Sequence, residues 1–152
     1  MISFTFGADY GYVMAMSLGF YLQQQVAFTI PVVMKRIKYG IKAPILYPRD
    51  SEIKALQLTD EQVHDYYCTQ RAHQNNVELM SVFLPLYLVA GAIPGKAMNV
   101  FYAGLAMFAA RMLGGLGYSA GLRKFSGWFH IPEFYILWLV GKEAYLAVTA
   151  SA

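Results

Sequence analysis

The chain has 152 residues, of which 57% are hydrophobic and only 14% charged, with a formal net charge of +3 and a mean hydropathy of +0.38. A soluble domain carries about 25% charged residues, so the composition excludes an ordinary water-soluble globule and leaves a membrane protein. The positive balance does not argue for nucleic acid, because the basic residues sit where a membrane protein needs them.

The charges are clumped and leave four long apolar runs. The first, over 10–34, lies between Asp9 and Lys35. It lacks a basic leader and is long enough to span, so it does not read as a secretory signal. Gln23, Gln24 and Gln25 inside it are awkward in lipid and belong against other helices, where amides act as glue. Pro31 is expected to kink its end. A polar loop follows, over about 36–60, in which Pro44 and Pro48 disfavour helix before them. Thr59 or Asp60 is a good N-cap for the next helix, with Glu61 and Gln62 in its first turn. We read no breaker from there to Gly91, which gives a helix of about 30 residues whose first third protrudes into the cytosol. Pro94 and Gly95 mark a tight turn. The third run, over 97–122, is interrupted only by Arg111 and is rich in small residues, with Gly117 and Gly121 at close-approach spacing. The fourth run, over 134–141, is the shortest, and Trp128, Phe129, Trp138 and Tyr145 around it suit interfacial anchoring.

These runs predict an all-α, integral membrane four-helix bundle as a single domain, with spans near 10–35, 71–93, 97–120 and 129–149. Lys35, Arg36, Lys38, Lys42, Arg49 and Lys54 follow the first span, and Arg123 and Lys124 follow the third, whereas the other side offers only Lys96. Positive-inside then puts the first and third loops in the cytosol and both termini on the far side.

Residues 71–78 read Arg-Ala-His-Gln-Asn-Asn-Val-Glu at the mouth of the second apolar run. Polar groups at membrane depth are costly, so such a cluster points to function. At about 100° per residue, Arg71, Asn75 and Glu78 fall within roughly 60° of one another on one helix face. A guanidinium fork, an amide and a carboxylate in a row suit a zwitterionic ligand with several carboxylates. The alternative is internal neutralisation, with Arg71 paired to Glu78 and Asn75 bridging. Arg111 must face protein or water, since a guanidinium in lipid costs at least about 2.5–3.5 kcal/mol. A salt bridge to a carboxylate of the second helix is expected for it, with Glu78 the nearest in depth. Tyr118 lies two turns further along the same face, either as a ligand donor or as an interfacial tyrosine. Arg123, past it, is a plain positive-inside residue or a group that stabilises an anion such as a thiolate. His73 turns about 160° away from Asn75, as a buried structural histidine or a contact to a partner helix. With His64 and His130 it forms no ligand-spaced set, so no metal site is expected. The single Cys68 excludes an internal disulfide framework. No phosphate loop, nucleophile elbow or dinucleotide fingerprint is present.

The segment Gln-Arg-Ala-His-Gln-Asn-Asn-Val-Glu over 70–78 resembles the MAPEG family of membrane-associated proteins in eicosanoid and glutathione metabolism. It is most similar to the class of the third microsomal glutathione S-transferase. Pro-Ile-Leu-Tyr over 44–47, Cys68, and Gly117-Tyr118 after Arg111 add to the likeness. The resemblance implies a bundle that forms a homotrimer or joins a larger membrane assembly in the endoplasmic reticulum or a mitochondrial membrane. Glutathione would be the cosubstrate, bound between subunits near the cytosolic face. It implies transfer of glutathione to lipophilic electrophiles or reduction of lipid hydroperoxides. By the same resemblance, Arg71, Asn75, Glu78 and Tyr118 match glutathione-binding positions, and Arg36 and His73 match positions supplied by the adjacent subunit. Arg123 is the candidate for thiolate stabilisation. The chain also departs from the family pattern. Ser81 replaces a kinking proline, Leu79 and Gly114 stand where leukotriene synthases have tyrosines, and the first loop is several residues longer. Phe125, Ser126 and Gly127 occupy the usual offset of the thiol-activating arginine. Those departures leave open a second reading, a non-catalytic family member acting as a scaffold or lipid-binding subunit.

Overall fold

The computed structural model describes residues 7–119 and 127–150. Every regular element among them is helical: α1 (Tyr10–Gln23), a π-helical segment (Gln24–Thr29), α2 (Ile30–Tyr39), α3 (Asp50–Ala55), α4 (Asp60–Gly91), α5 (Ala97–Ser119) and α6 (His130–Ala150). α1, the π segment and α2 run on as one long rod, so the fold is four long helices and a short one in the first loop. α4 and α5 pack against each other at the centre, with α1 against both on one side and α6 against both on the other.

Pro31 explains the π segment. A proline inside a helix has no N–H to donate, and its ring crowds the carbonyl four residues back. The preceding turn widens to relieve this, with the Ile30 N–H reaching back to Gln25 O and the Thr29 hydroxyl donating to Gln24 O at 3.0 Å. The expected kink is thus a local widening, and the rod continues to Gly40. There a left-handed φ of 68° closes α2, with the Ile41 N–H donating to Arg36 O at 3.0 Å. That conformation costs glycine nothing.

α4 starts at a Thr59 cap whose hydroxyl accepts from the Gln62 N–H, while the Gln62 side chain accepts from the Thr59 N–H at 2.9 Å. It runs 32 residues and contains Pro85, a breaker by residue type that the sequence reading passes over. The helix continues through it, with Ser81, whose carbonyl loses its helical donor, and Pro85 both on the exposed side and long turns flanking them.

One core is built from Val13, Met16 and Phe20 of α1, Phe83, Tyr87 and Ala90 of α4, Val100 and Met107 of α5, and Ile136 and Leu139 of α6. Phe20 meets Phe83 and Tyr87 edge-on at ring distances of 5.7 and 5.5 Å. A second, smaller core at the other end gathers Val32, Tyr39, Ile41 and Tyr66 under the first loop. Much of the outer surface is apolar, with Leu18, Tyr21, Leu22, Val26 and Ile30 exposed along the first rod. By length and composition α5 can cross a membrane, over Ala97–Gly114. The first rod is divided by the π segment, α4 carries Arg71 and Glu78, and α6 carries Glu133, Lys142 and Glu143.

Candidate functional site

The row of Arg71, Asn75 and Glu78 lies on the outward side of α4. Arg71 and Glu78 are exposed and Asn75 is half-buried. Among the described residues no ion pair joins Arg71 to Glu78, and Asn75 does not bridge them. Among the described residues the row is therefore presented on the outside of α4 rather than neutralised. Gln74, on the same face, accepts from the Tyr47 hydroxyl at 3.0 Å, and the Tyr47 ring meets Tyr67 edge-on at 5.2 Å. Tyr66 donates to Leu46 O at 3.0 Å and Tyr67 to Pro48 O. Three successive loop residues, 46–48, are thus fastened to α4 just below the row.

Arg36, half-buried near the end of α2, donates from Nη1 to the Tyr66 hydroxyl at 3.2 Å. Burial pushes the Tyr66 phenol up from its ordinary range, with the Arg36 charge pulling the other way. Beside it, Lys35 Nζ donates to Asp65 Oδ1 at 2.6 Å and the Tyr39 hydroxyl to Asp65 Oδ2 at 2.8 Å. Burial would raise the Asp65 pKa, but these two donors outweigh it and hold the carboxyl below the usual range. Tyr39 moves up, chiefly because its proton is held by Asp65. Cys68 stands 3.5 Å from His64 Nε2 on an exposed turn of α4.

Between the helices runs a second polar constellation that the sequence reading did not assemble. Arg111 is 6% exposed and Asn76 fully buried. Arg111 Nε donates to Asn76 Oδ1 at 2.7 Å, so Asn76 holds the guanidinium where Glu78 was expected. Asn76 Nδ2 donates to Gln24 Oε1 at 2.6 Å, and Gln24 Nε2 lies 2.9 Å from His73 Nδ1. His73 accordingly contacts the π segment of its own chain. The Phe28 and Phe129 rings flank the guanidinium, at 5.8 and 4.9 Å from its carbon. Neighbouring Gln23 donates to Phe108 O at 2.8 Å. The signal for Asn76 was available: it falls on the stripe of the buried Phe83, Tyr87 and Ala90, and a polar residue on a core stripe needs a partner.

Tyr118 belongs to α5, but its side chain lies outside the described residues, as does Arg123 altogether. Among the described residues no group of three or more His, Cys, Asp or Glu side chains gathers to hold a metal ion. An apolar groove of about 480 Å³ runs between α5 and α6, lined by Ala106, Ala109, Leu113, Trp128 and Ile131.

No solved structure matches the chain. The model of the MAPEG family matches residues 14–142, a stretch that takes in the π segment, the first loop, the whole of α4 and α5 and most of α6. An all-helical chain with this match, carrying its polar row on the longest helix, belongs to the MAPEG family.

Proposed function

We propose that the chain is an integral membrane glutathione transferase or peroxidase of the third microsomal class, working on lipophilic electrophiles or lipid hydroperoxides as a trimer. The observation that carries this reading is the outward row of Arg71, Asn75 and Glu78, which no ion pair among the described residues neutralises. Arg71 suits a carboxylate of glutathione as a two-pronged donor, and Glu78 suits its ammonium. Asn75 and Tyr118 complete the same face. Arg36 and His73 approach from the neighbouring subunit. The bundle spans the membrane at 10–35, 71–93, 97–120 and 129–149, with the first loop cytosolic. Its apolar exterior and the groove between α5 and α6 support that placement and give a lipophilic partner a path from the lipid side.

The chemistry asks for a thiolate, because the protonated thiol is a poor nucleophile. Arg123 stabilises the anion, and one pKa unit of that help is worth about 1.4 kcal/mol. In transfer, the thiol proton leaves to water, a sulfur–carbon bond forms and the leaving group departs. In peroxide reduction, two thiols become a disulfide while the hydroperoxide becomes an alcohol and water.

The presence of Phe125, Ser126 and Gly127 at the family's usual arginine offset favours a second reading, a non-catalytic scaffold or lipid-binding subunit. One experiment separates them. Adding glutathione to the purified protein should raise an ultraviolet thiolate band that Arg123→Ala abolishes while binding persists. Bound glutathione without that band in the wild type would remove the enzyme and leave the scaffold.

A further inference from the structure

We infer that Arg111, acting through Asn76 and Gln24, fixes the tautomer of His73 so that its ring offers an Nε2–H donor to a ligand acceptor. The inference rests on the glutathione reading above for the identity of that ligand, and on hydrogen-bond direction for everything else.

A guanidinium can only donate. Arg111 Nε stands 2.7 Å from the Asn76 side chain, so the atom it meets must be Oδ1. That sets Asn76 Nδ2 toward Gln24, and the atom at 2.6 Å must be Gln24 Oε1. Gln24 then turns Nε2 toward His73 Nδ1 at 2.9 Å, and Nδ1 must accept. A neutral imidazole has one N–H, which therefore sits on Nε2. The alternative fails in sequence. An Nδ1–H ring would demand that Gln24 turn over, Gln24 would demand that Asn76 turn over, and two buried donors would then face each other at Arg111.

A separate contact gives the same orientation. The Thr29 hydroxyl spends its proton on Gln24 O at 3.0 Å. It can then only accept from Gln24 Nε2, which lies 3.4 Å away. Both Nε2 hydrogens are thereby used, one on Thr29 and one on His73. The π segment makes this possible by placing Gln24 and Thr29 together beside α4. No described residue takes a hydrogen bond from His73 Nε2, and the ring is half-buried. Its free donor suits a carboxylate or amide oxygen. Arg111, Asn76 and Gln24 are positioning residues in this scheme, with His73 the group that touches the ligand.

The test is nitrogen-15 spectroscopy of the full-length protein in detergent, labelled at its three histidines. His73→Asn identifies the His73 signals. Wild type should show His73 as one neutral Nε2–H tautomer. In Asn76→Asp the introduced carboxylate can only accept, so Gln24 turns Nε2 toward it and Oε1 toward His73, and the ring should switch to Nδ1–H. Gln24→Glu should produce the same switch by a shorter route and serves if Asn76→Asp does not fold. An Nδ1–H ring or a mixture of tautomers in the wild type overturns the inference, as does an unchanged Nε2–H ring in the variants. Titration with glutathione reads the consequence. The switched variants should bind about tenfold more weakly, the value of one ordinary hydrogen bond. Arg71→Ala should weaken binding and leave the tautomer alone. Affinity untouched by the switch would contradict the donor role of His73. Absence of binding in the wild type would remove the glutathione reading, while the tautomer would still decide the relay.

Discussion

Arg111 on α5 gives its Nε–H to Asn76 on α4 across 2.7 Å, with Asn76 fully buried and Arg111 nearly so. The cation on α5 is thus held by a neutral amide that passes the polarity on to Gln24. Amide hydrogen bonds between spanning helices average only about 0.6 kcal/mol, because the unfolded chain also finds partners in the membrane. A bond to a charged, buried donor is worth about 1.5–3 kcal/mol. The charge decides which value applies.

Asn76→Ala should therefore destabilise the fold by about 2–3 kcal/mol, since it removes the acceptor of the Arg111 Nε–H and the donor to Gln24 Oε1. Thermal unfolding in detergent, followed by helical circular dichroism, measures this. An unchanged Tm would mean that Arg111 is held by other groups.

The Asp65 cluster predicts a pH window for stability. Asp65 is held below the ordinary aspartate range by Lys35 and Tyr39, so its contribution is present above that range and lost as the pH falls through the lowered value. Tyr39 is raised above 10.0, so its contribution is present below pH 10 and lost as the pH rises through the raised value. Asp65→Asn should flatten the acid-side fall of Tm relative to the wild type. Identical acid profiles for the two proteins would count against the cluster.

Gly104 is a point of close approach between α5 and its neighbours. An added Cβ would stand 2.6 Å from the Tyr87 hydroxyl and 2.9 Å from Met16 Cγ. Gly104→Ala should cost about 1–3 kcal/mol through overpacking. The Tyr87 hydroxyl is buried and finds no partner among the described residues. Tyr87→Phe should then be close to neutral alone and restore part of the loss in the double variant. Purely additive losses, measured as Tm in detergent, would refute the contact.

Topology follows from the placement of charge. In sealed vesicles with the cytosolic face outward, trypsin should cut at Lys54, which is exposed on α3. Protection of that loop together with cleavage near the termini would reverse the orientation.

Much of this fold is local and therefore legible from the chain. The Thr59 cap and the Gly40 stop are each written in a few neighbouring residues, and so is the face shared by Arg71, Asn75 and Glu78. What was not legible depends on how helices align in depth. The period of α4 shows that Glu78 and Asn76 point different ways, but not which of them stands level with Arg111. That is fixed by the close seam of α5 on α1 and α4 at Gly104. Pro85, a breaker by residue type, leaves the helix unbroken because a long helix continues on both sides of it. The Gln24 link needed the π segment, whose signal was Pro31 with Thr29 two residues earlier.

The central claim is that the outward row on α4 grips glutathione, and isothermal titration of the purified protein in detergent tests it most directly. Wild type should bind. Arg71→Lys should bind more weakly than its conserved charge implies, because lysine lacks the planar fork. Arg71→Ala should lose on the order of 2–5 kcal/mol, leaving a ligand carboxylate unpaired. Equal affinity in all three proteins, or no binding by the wild type, would contradict the account.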